Sequence, residues 1–122
     1  MSEIKTSKQS PRFENGKICW YEGDTFVLQF LINLKNSETN EPLTYLPSDK
    51  MLICFYKNDI PTFKFCYTNL RNGEAVCIDF NDDITKKFKE GIYTYTITFV
   101  GDNRTTIVAK NTLEVQKWAK LI

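Results

Sequence analysis

The chain contains no histidine among its 122 residues. Ser-His-Asp triads, Cys-His nucleophiles and zinc sites with imidazole ligands are therefore excluded. Glycine is also scarce, with five residues scattered at turns, and neither glycine-rich phosphate-binding motif occurs. We accordingly predict that the protein is not an enzyme, with no catalytic residues, no cofactor and no metal.

A strong charge of either sign is missing as well, since 16 basic and 15 acidic residues leave a net charge of +1. This balance provides no strong field for gathering phosphates, so we predict no nucleic-acid partner. No apolar run approaches the roughly 18 residues of a membrane span, and the opening MSEIKTSKQSPR lacks the apolar core of a signal peptide. We expect neither membrane insertion nor classical secretion.

Four cysteines are present, at positions 19, 54, 66 and 77, without a C-x-x-C pair. This spacing is typical neither of a zinc site nor of a secreted disulfide framework. Reduced thiols are the favoured interpretation, and disulfides between Cys54 and Cys77 or between Cys19 and Cys66 are the alternative.

Carboxylates form two groups, Glu22 with Asp24 and Asp79 with Asp82 and Asp83. Either group has the chemistry of an acid/base pair or of part of a calcium site. Roles in turns and at a helix start account for most of these carboxylates. The sequence therefore favours the structural interpretation.

Alternation of apolar and polar residues predicts most of the fold. In GIYTYTITFV the apolar set predicts that Tyr93, Tyr95, Ile97 and Phe99 point inward. The run TFVLQFLINL has the same period and predicts a central strand. Further strands are predicted in KICWY, MLICFY, TFKFCY, EAVCIDF and RTTIVAKNTLEV, the last with a bulge at Asn111.

One short helix is predicted in NDDITKKFK, with Asp82 or Asp83 as its N-cap and Gly91 after its end. The prediction is an all-β protein, an immunoglobulin-like antiparallel β-sandwich of about seven strands with one short helix before the sixth strand. Tyr93 is placed either for a tyrosine corner or as a plain core aromatic. We expect a polar, flexible arm over 1–16, the sandwich over 17–116 and a tail over 117–122.

A resemblance is carried by YEGDTFVLQFLI, by GEAVCIDFNDDITKKFKEGIYTYTITFV and by RTTIVAKNTLEV. These segments resemble the small β-sandwich domains of tailed-phage baseplate and tail accessory proteins, similar to the N-terminal domain of baseplate upper proteins. The resemblance covers about residues 17–116 and implies a virion or prophage structural module without an active site. The expected location is the virion, or the bacterial cytoplasm before assembly.

Candidate partner contacts come from exposed apolar positions. Val27 and Leu31 are predicted on the outward face of their strand, and Tyr45 lies in a long loop where it either anchors the loop or stacks on a sugar. The tail presents three apolar residues as a docking segment, although Trp118 packing over an open end of the sandwich is the alternative. The tail residues are Trp118, Leu121 and Ile122.

Two functions follow from this sequence. The first is a structural module that binds protein partners, including a second copy of itself, through sandwich edges, the outer apolar positions and the tail. The alternative is a stand-alone bacterial binding domain that recognises a carbohydrate or peptide through loops 36–50 and 57–61.

Overall fold

The computed structural model describes residues 9–117, which form eight strands and one short helix. In chain order these are β1 (Arg12–Glu14), β2 (Lys17–Tyr21), β3 (Phe26–Leu31), β4 (Lys50–Lys57), β5 (Ile60–Thr68), β6 (Ala75–Phe80), α1 (Asp82–Thr85), β7 (Gly91–Gly101) and β8 (Arg104–Gln116). The predicted all-β class is confirmed. No helix in this part of the chain has the length and apolar character needed to cross a membrane.

The strands are divided between two sheets. One has six strands in the order β1-β2-β8-β7-β4-β5, and the other pairs β3 with β6. Every pair is antiparallel except β2 with β8, which run parallel with Ile18 beside Leu113. The larger sheet is therefore mixed, and the wholly antiparallel arrangement predicted from the sequence is wrong.

Strand β1 adds to the sheet within the range 1–16 that the sequence assigned to a flexible arm. It forms a hairpin with β2 in which Glu14 is opposite Lys17. The two connecting residues, Asn15 and Gly16, have φ values of 53° and 77°. Positive φ at both positions is the type I′ geometry, whose twist matches the twist of the flanking strands.

Strand β3 is not central, because among the described strands it pairs with β6 alone. Its inward set is as predicted: Leu28 is buried and Phe30 packs against the core. Alternation identifies which side chains are buried, but it does not determine how many strands flank the backbone. The sequence therefore predicted the buried face of β3 correctly, but the predicted central position of β3 in a sheet was wrong.

The core lies between the two sheets and is rich in aromatic rings. Trp20 is fully buried, and its ring centroid lies 5.0 Å from Phe26, 5.2 Å from Phe80 and 5.5 Å from Phe88. Tilted and edge-on contacts of this kind add about 0.5–1.5 kcal/mol per pair beyond burial. The β7 positions predicted to point inward lie in this core or pack against it: Tyr93, Tyr95, Ile97 and Phe99.

Helix α1 begins one residue earlier than predicted with Asp82 as the N-cap, and two residues earlier than predicted with Asp83. Its N-cap is Asn81, whose side-chain oxygen accepts a hydrogen bond from the amide of Ile84 at 3.1 Å. Asp82 and Asp83 instead occupy the first turn, where a carboxylate interacts favourably with the helix dipole. The buried Thr85 hydroxyl donates to the carbonyl of Asp24 at 2.7 Å, which ties the helix to the loop before β3.

The bulge in β8 also differs from the prediction. Ile97 is opposite Ala109 and Thr98 is opposite Ile107, so the extra residue is Val108 rather than Asn111. The bulge reverses the alternation of β8, so that Ile107 pairs with an outward residue of β7. All four cysteines are free thiols, as favoured from the sequence.

Candidate protein-interaction surface

Val27 and Leu31 face outward on β3, as predicted. Their side chains are 48% and 69% exposed, while Leu28 between them is buried. Val27 and Leu31 lie opposite Asp79 and Ala75 of β6, and among residues 9–117 no strand pairs with β3 on its other side. Both residues therefore lie on an outer face and close to an open strand edge.

Exposed apolar side chains continue from β3 onto β1 and β8. Phe13 is 75% exposed, Ile107 62% and Val108 37%. Phe13 and Val27 line one cleft between β1 and β3, while Leu31 and Val108 line another between β3 and β8. Phe13, Val27, Leu31 and Val108 thus border a single side of the sandwich, whereas Ile107 lies beside Thr98 on the outer face of the six-stranded sheet.

The opening between β3 and β8, together with the adjoining loop, is called here the β3–β8 groove. It consists of a slot of about 170 Å³ and a wider mouth of about 470 Å³, which share Leu34 and Val108 in their linings. Core side chains form the floor of the slot, because the two-stranded sheet is too narrow to cover them. These floor residues are Met51, Ile53, Val76 and Ile97.

One wall of the groove is an unpaired strand edge. On the side of β8 away from β7, strand β2 pairs with residues 113–116 only. Within residues 9–117, no strand pairs with residues 104–112 on that side. About half of the amides and carbonyls of this stretch therefore point away from β7, towards the groove.

The opposite wall of the mouth is the segment from Leu34 to Glu38. Asn72 holds this segment in place: its side-chain oxygen accepts from the amide of Leu34 at 3.1 Å, and its side-chain amide donates to the carbonyl of Leu34 at 3.1 Å and to that of Leu43 at 3.4 Å. The sequence analysis missed this role. Its only signal in the sequence is the Asn-Gly pair at 72–73, which is typical of a turn.

The contacts of Tyr45 are those of a residue that anchors its loop. Its ring is half-buried and lies 6.2 Å from Phe99, and its hydroxyl donates to the side-chain oxygen of Asn72 at 2.5 Å. Burial raises the pKa of this hydroxyl above its ordinary value. Because both the ring and the hydroxyl are engaged, the geometry favours anchoring over stacking on a sugar.

Basic side chains stand at the mouth of the groove. Arg104 lies with its guanidinium carbon 5.7 Å from the centroid of Phe99, and Lys35 lines the same mouth beside Glu38. No carboxylate of residues 9–117 forms an ion pair with Arg104 or Lys35. The mouth is therefore apolar on its floor and net positive at its rim.

The carboxylates singled out in the sequence occupy structural positions. Asp24 accepts from the hydroxyl of Ser10 at 2.9 Å, and Glu22 lies 4.0 Å from the ammonium group of Lys89. In the described part of the chain, no group of three or more Cys, Asp or Glu side chains is arranged to hold a metal ion.

Three of the predicted contacts lie outside the described residues, namely Trp118, Leu121 and Ile122. Their proposed docking role stays a prediction. No protein-family model, curated protein or solved structure matches this chain. The surface must therefore be interpreted from its own chemistry.

Proposed function

We propose that the chain is a non-catalytic protein–protein interaction module. The observation that carries this proposal is the row of exposed apolar side chains beside the unpaired edge of β8. Single exposed apolar residues are ordinary, whereas several of them next to unpaired backbone groups are typical of a binding site. The row consists of Leu31 and Val108 beside that edge, continued by Val27 and Phe13 at the adjoining cleft between β1 and β3.

We also propose an immunoglobulin-like topology for the sandwich. The pair β3–β6 matches strands B and E of that fold, and the neighbours β4, β7 and β8 match C, F and G, with β5 in the place of C′. Tyr93 on β7 supports this assignment, because its hydroxyl bonds to the backbone of Lys89 just before the strand, as in a tyrosine corner.

The biological setting we propose is a phage or prophage particle, in which the chain serves as a baseplate or tail accessory component. This part rests on the sequence resemblance over about residues 17–116. The protein would reside in the virion, or in the bacterial cytoplasm before assembly. The alternative is a bacterial binding domain that recognises a carbohydrate or peptide through loops 36–50 and 57–61.

The test is co-expression of the chain with the products of the genes that flank its own, followed by light scattering of the purified material. A defined complex or a homo-oligomer supports the proposal. Replacing Leu31 with Lys places a charge on the exposed row and should weaken that assembly, whereas Ile60→Lys, at an equally exposed site on β5, should not. A monomer that binds none of these proteins but binds glycans on an array would overturn it.

A further inference from the structure

We infer that the β3–β8 groove is the docking site for one extended segment of a partner protein, which adds to the six-stranded sheet along the open edge of β8. The inference rests on the proposed function and narrows it to one site and one kind of partner. Strand addition of this type combines backbone hydrogen bonds for affinity with side-chain pockets for specificity.

The position for an added strand follows from the strand order. Among residues 9–117 no strand flanks β3 on the side away from β6, and β2 leaves the first nine residues of β8 unpaired on the same side of the molecule. The opening between β3 and β8 therefore lies where the sandwich is short of a strand.

The shape of the groove favours a single chain over the edge of another sheet. Beside the edge of β8, the segment from Leu34 to Glu38 forms a second wall. Asn72 and Tyr45 fix that wall through hydrogen bonds. A groove with two walls accepts one extended segment between them, while a complete second sheet would meet the loop before it reached the β8 backbone.

The lining specifies the side chains of the segment. The slot of about 170 Å³ has an aliphatic floor at Ile53 and Ile97, which suits one branched aliphatic side chain. The mouth carries Lys35 and Arg104, which suit a carboxylate. Arg104 and Val108 are four residues apart on β8, so the partner's acidic and aliphatic residues should also be about four positions apart and on one face.

The probes are two acetylated and amidated hexapeptides, Asp-Thr-Val-Thr-Ile-Thr and its reversed sequence, which cover both strand directions. They are titrated into the full chain and followed by calorimetry and by amide hydrogen exchange. We expect one of them to bind and to slow exchange within residues 104–110. A version with proline in place of the middle threonine should bind at least about tenfold more weakly, because it lacks one backbone donor.

Two variants locate the site. Val108→Arg should weaken binding at least about tenfold by placing a charge at the slot, whereas Ile60→Arg, on the far edge strand, should leave it unchanged. Arg104→Glu changes only an exposed side chain, so it tests the mouth without disturbing the core. This variant should weaken binding of the acidic peptide and strengthen binding of a peptide that carries lysine in place of the aspartate.

Other outcomes overturn the inference. Groove amides that are already protected in the free chain, independently of concentration, would show that the chain's own residues fill it, and protection that grows with concentration would indicate a second copy. Failure of both peptides would also overturn it. If the Val108→Arg variant forms a complex with a flanking gene product as well as the unaltered chain does, this inference fails while the proposed function stands. If neither peptide binds and no complex with a flanking gene product forms, the inference and the proposed function both fail.

Discussion

The hydroxyl of Tyr93 accepts a hydrogen bond from the amide of Lys89 at 2.8 Å and donates one to the carbonyl of the same residue at 2.9 Å. This pair of bonds closes the turn between α1 and β7. Tyr93→Phe should therefore lower the free energy of unfolding by about 1 kcal/mol. Urea denaturation measures the change, and Tyr67→Phe, which removes a bond to the surface carboxylate of Glu74, should cost less.

The same tyrosine makes stability depend on alkaline pH. Burial raises the pKa of Tyr93 above its ordinary value of 10.0. Above pH 10 the unfolded chain loses this proton first, so the free energy of unfolding should fall as the pH rises through the folded pKa. Urea titrations from about pH 9 to about pH 11 should show a shallower fall for Tyr93→Phe than for the unaltered chain. Parallel curves would contradict this assignment.

Asn72 should control the order of the groove wall. Asn72→Ala removes the hydrogen bonds to Leu34, Leu43 and Tyr45, and we expect a loss of about 2 kcal/mol together with faster amide exchange near Leu34. Asn72→Asp keeps the accepting oxygen and should lose less. Gln29→Ala, at an exposed amide on β3, is the matched control, and an equal effect there would contradict the prediction.

The cap of α1 gives a fourth prediction. Asn81→Ala removes the acceptor for the amide of Ile84 and should destabilise the protein by about 1 kcal/mol, whereas Asn81→Asp should retain the cap. Asp83→Ala removes an exposed ion pair with Lys86 and one first-turn carboxylate, and it should cost about 0.5 kcal/mol, less than Asn81→Ala. Thermal unfolding of the three variants separates these outcomes, and a larger loss for Asp83→Ala would show that the predicted cap was correct after all.

The four thiols should differ in reactivity. Cys66 and Cys77 are exposed and should react quickly with a disulfide reagent, and the half-buried Cys54 should react more slowly. Burial raises the pKa of Cys19, which lowers its thiolate fraction as well as its access. Its reaction should require unfolding. Mass spectrometry of the labelled chain over time shows the order, and early labelling of Cys19 would contradict the buried position of β2.

The sequence predicted the strands and the buried faces well, because alternation directly reflects which side chains point inward. The inward set of β7 from Tyr93 to Phe99 is an example. The short hairpin of β1 was missed, although Asn15 and Gly16 are a strong turn signal. The residues just before this pair, QSPRFE, are mostly polar, so alternation gives no strand signal there.

The groove could not have been predicted from the sequence. It depends on β3 lying in a narrow sheet and on β2 pairing with only the last four residues of β8, and both are pairings between distant segments. The same holds for Asn72, whose partners Leu34 and Tyr45 belong to another loop. The alternation of β3 predicted only that the side chains of Val27 and Leu31 point outward.

The parallel pair of β2 and β8 joins segments from near the two limits of the described chain, with Trp20 beside Val115. Closing so long a loop carries a large entropic cost, and contacts of this range form slowly. During synthesis, Trp20 leaves the ribosome long before its partner strand has been translated. The nascent chain therefore cannot complete the pairing of β2 until residues 113–116 emerge, and until then part of its apolar core stays exposed to association with other chains.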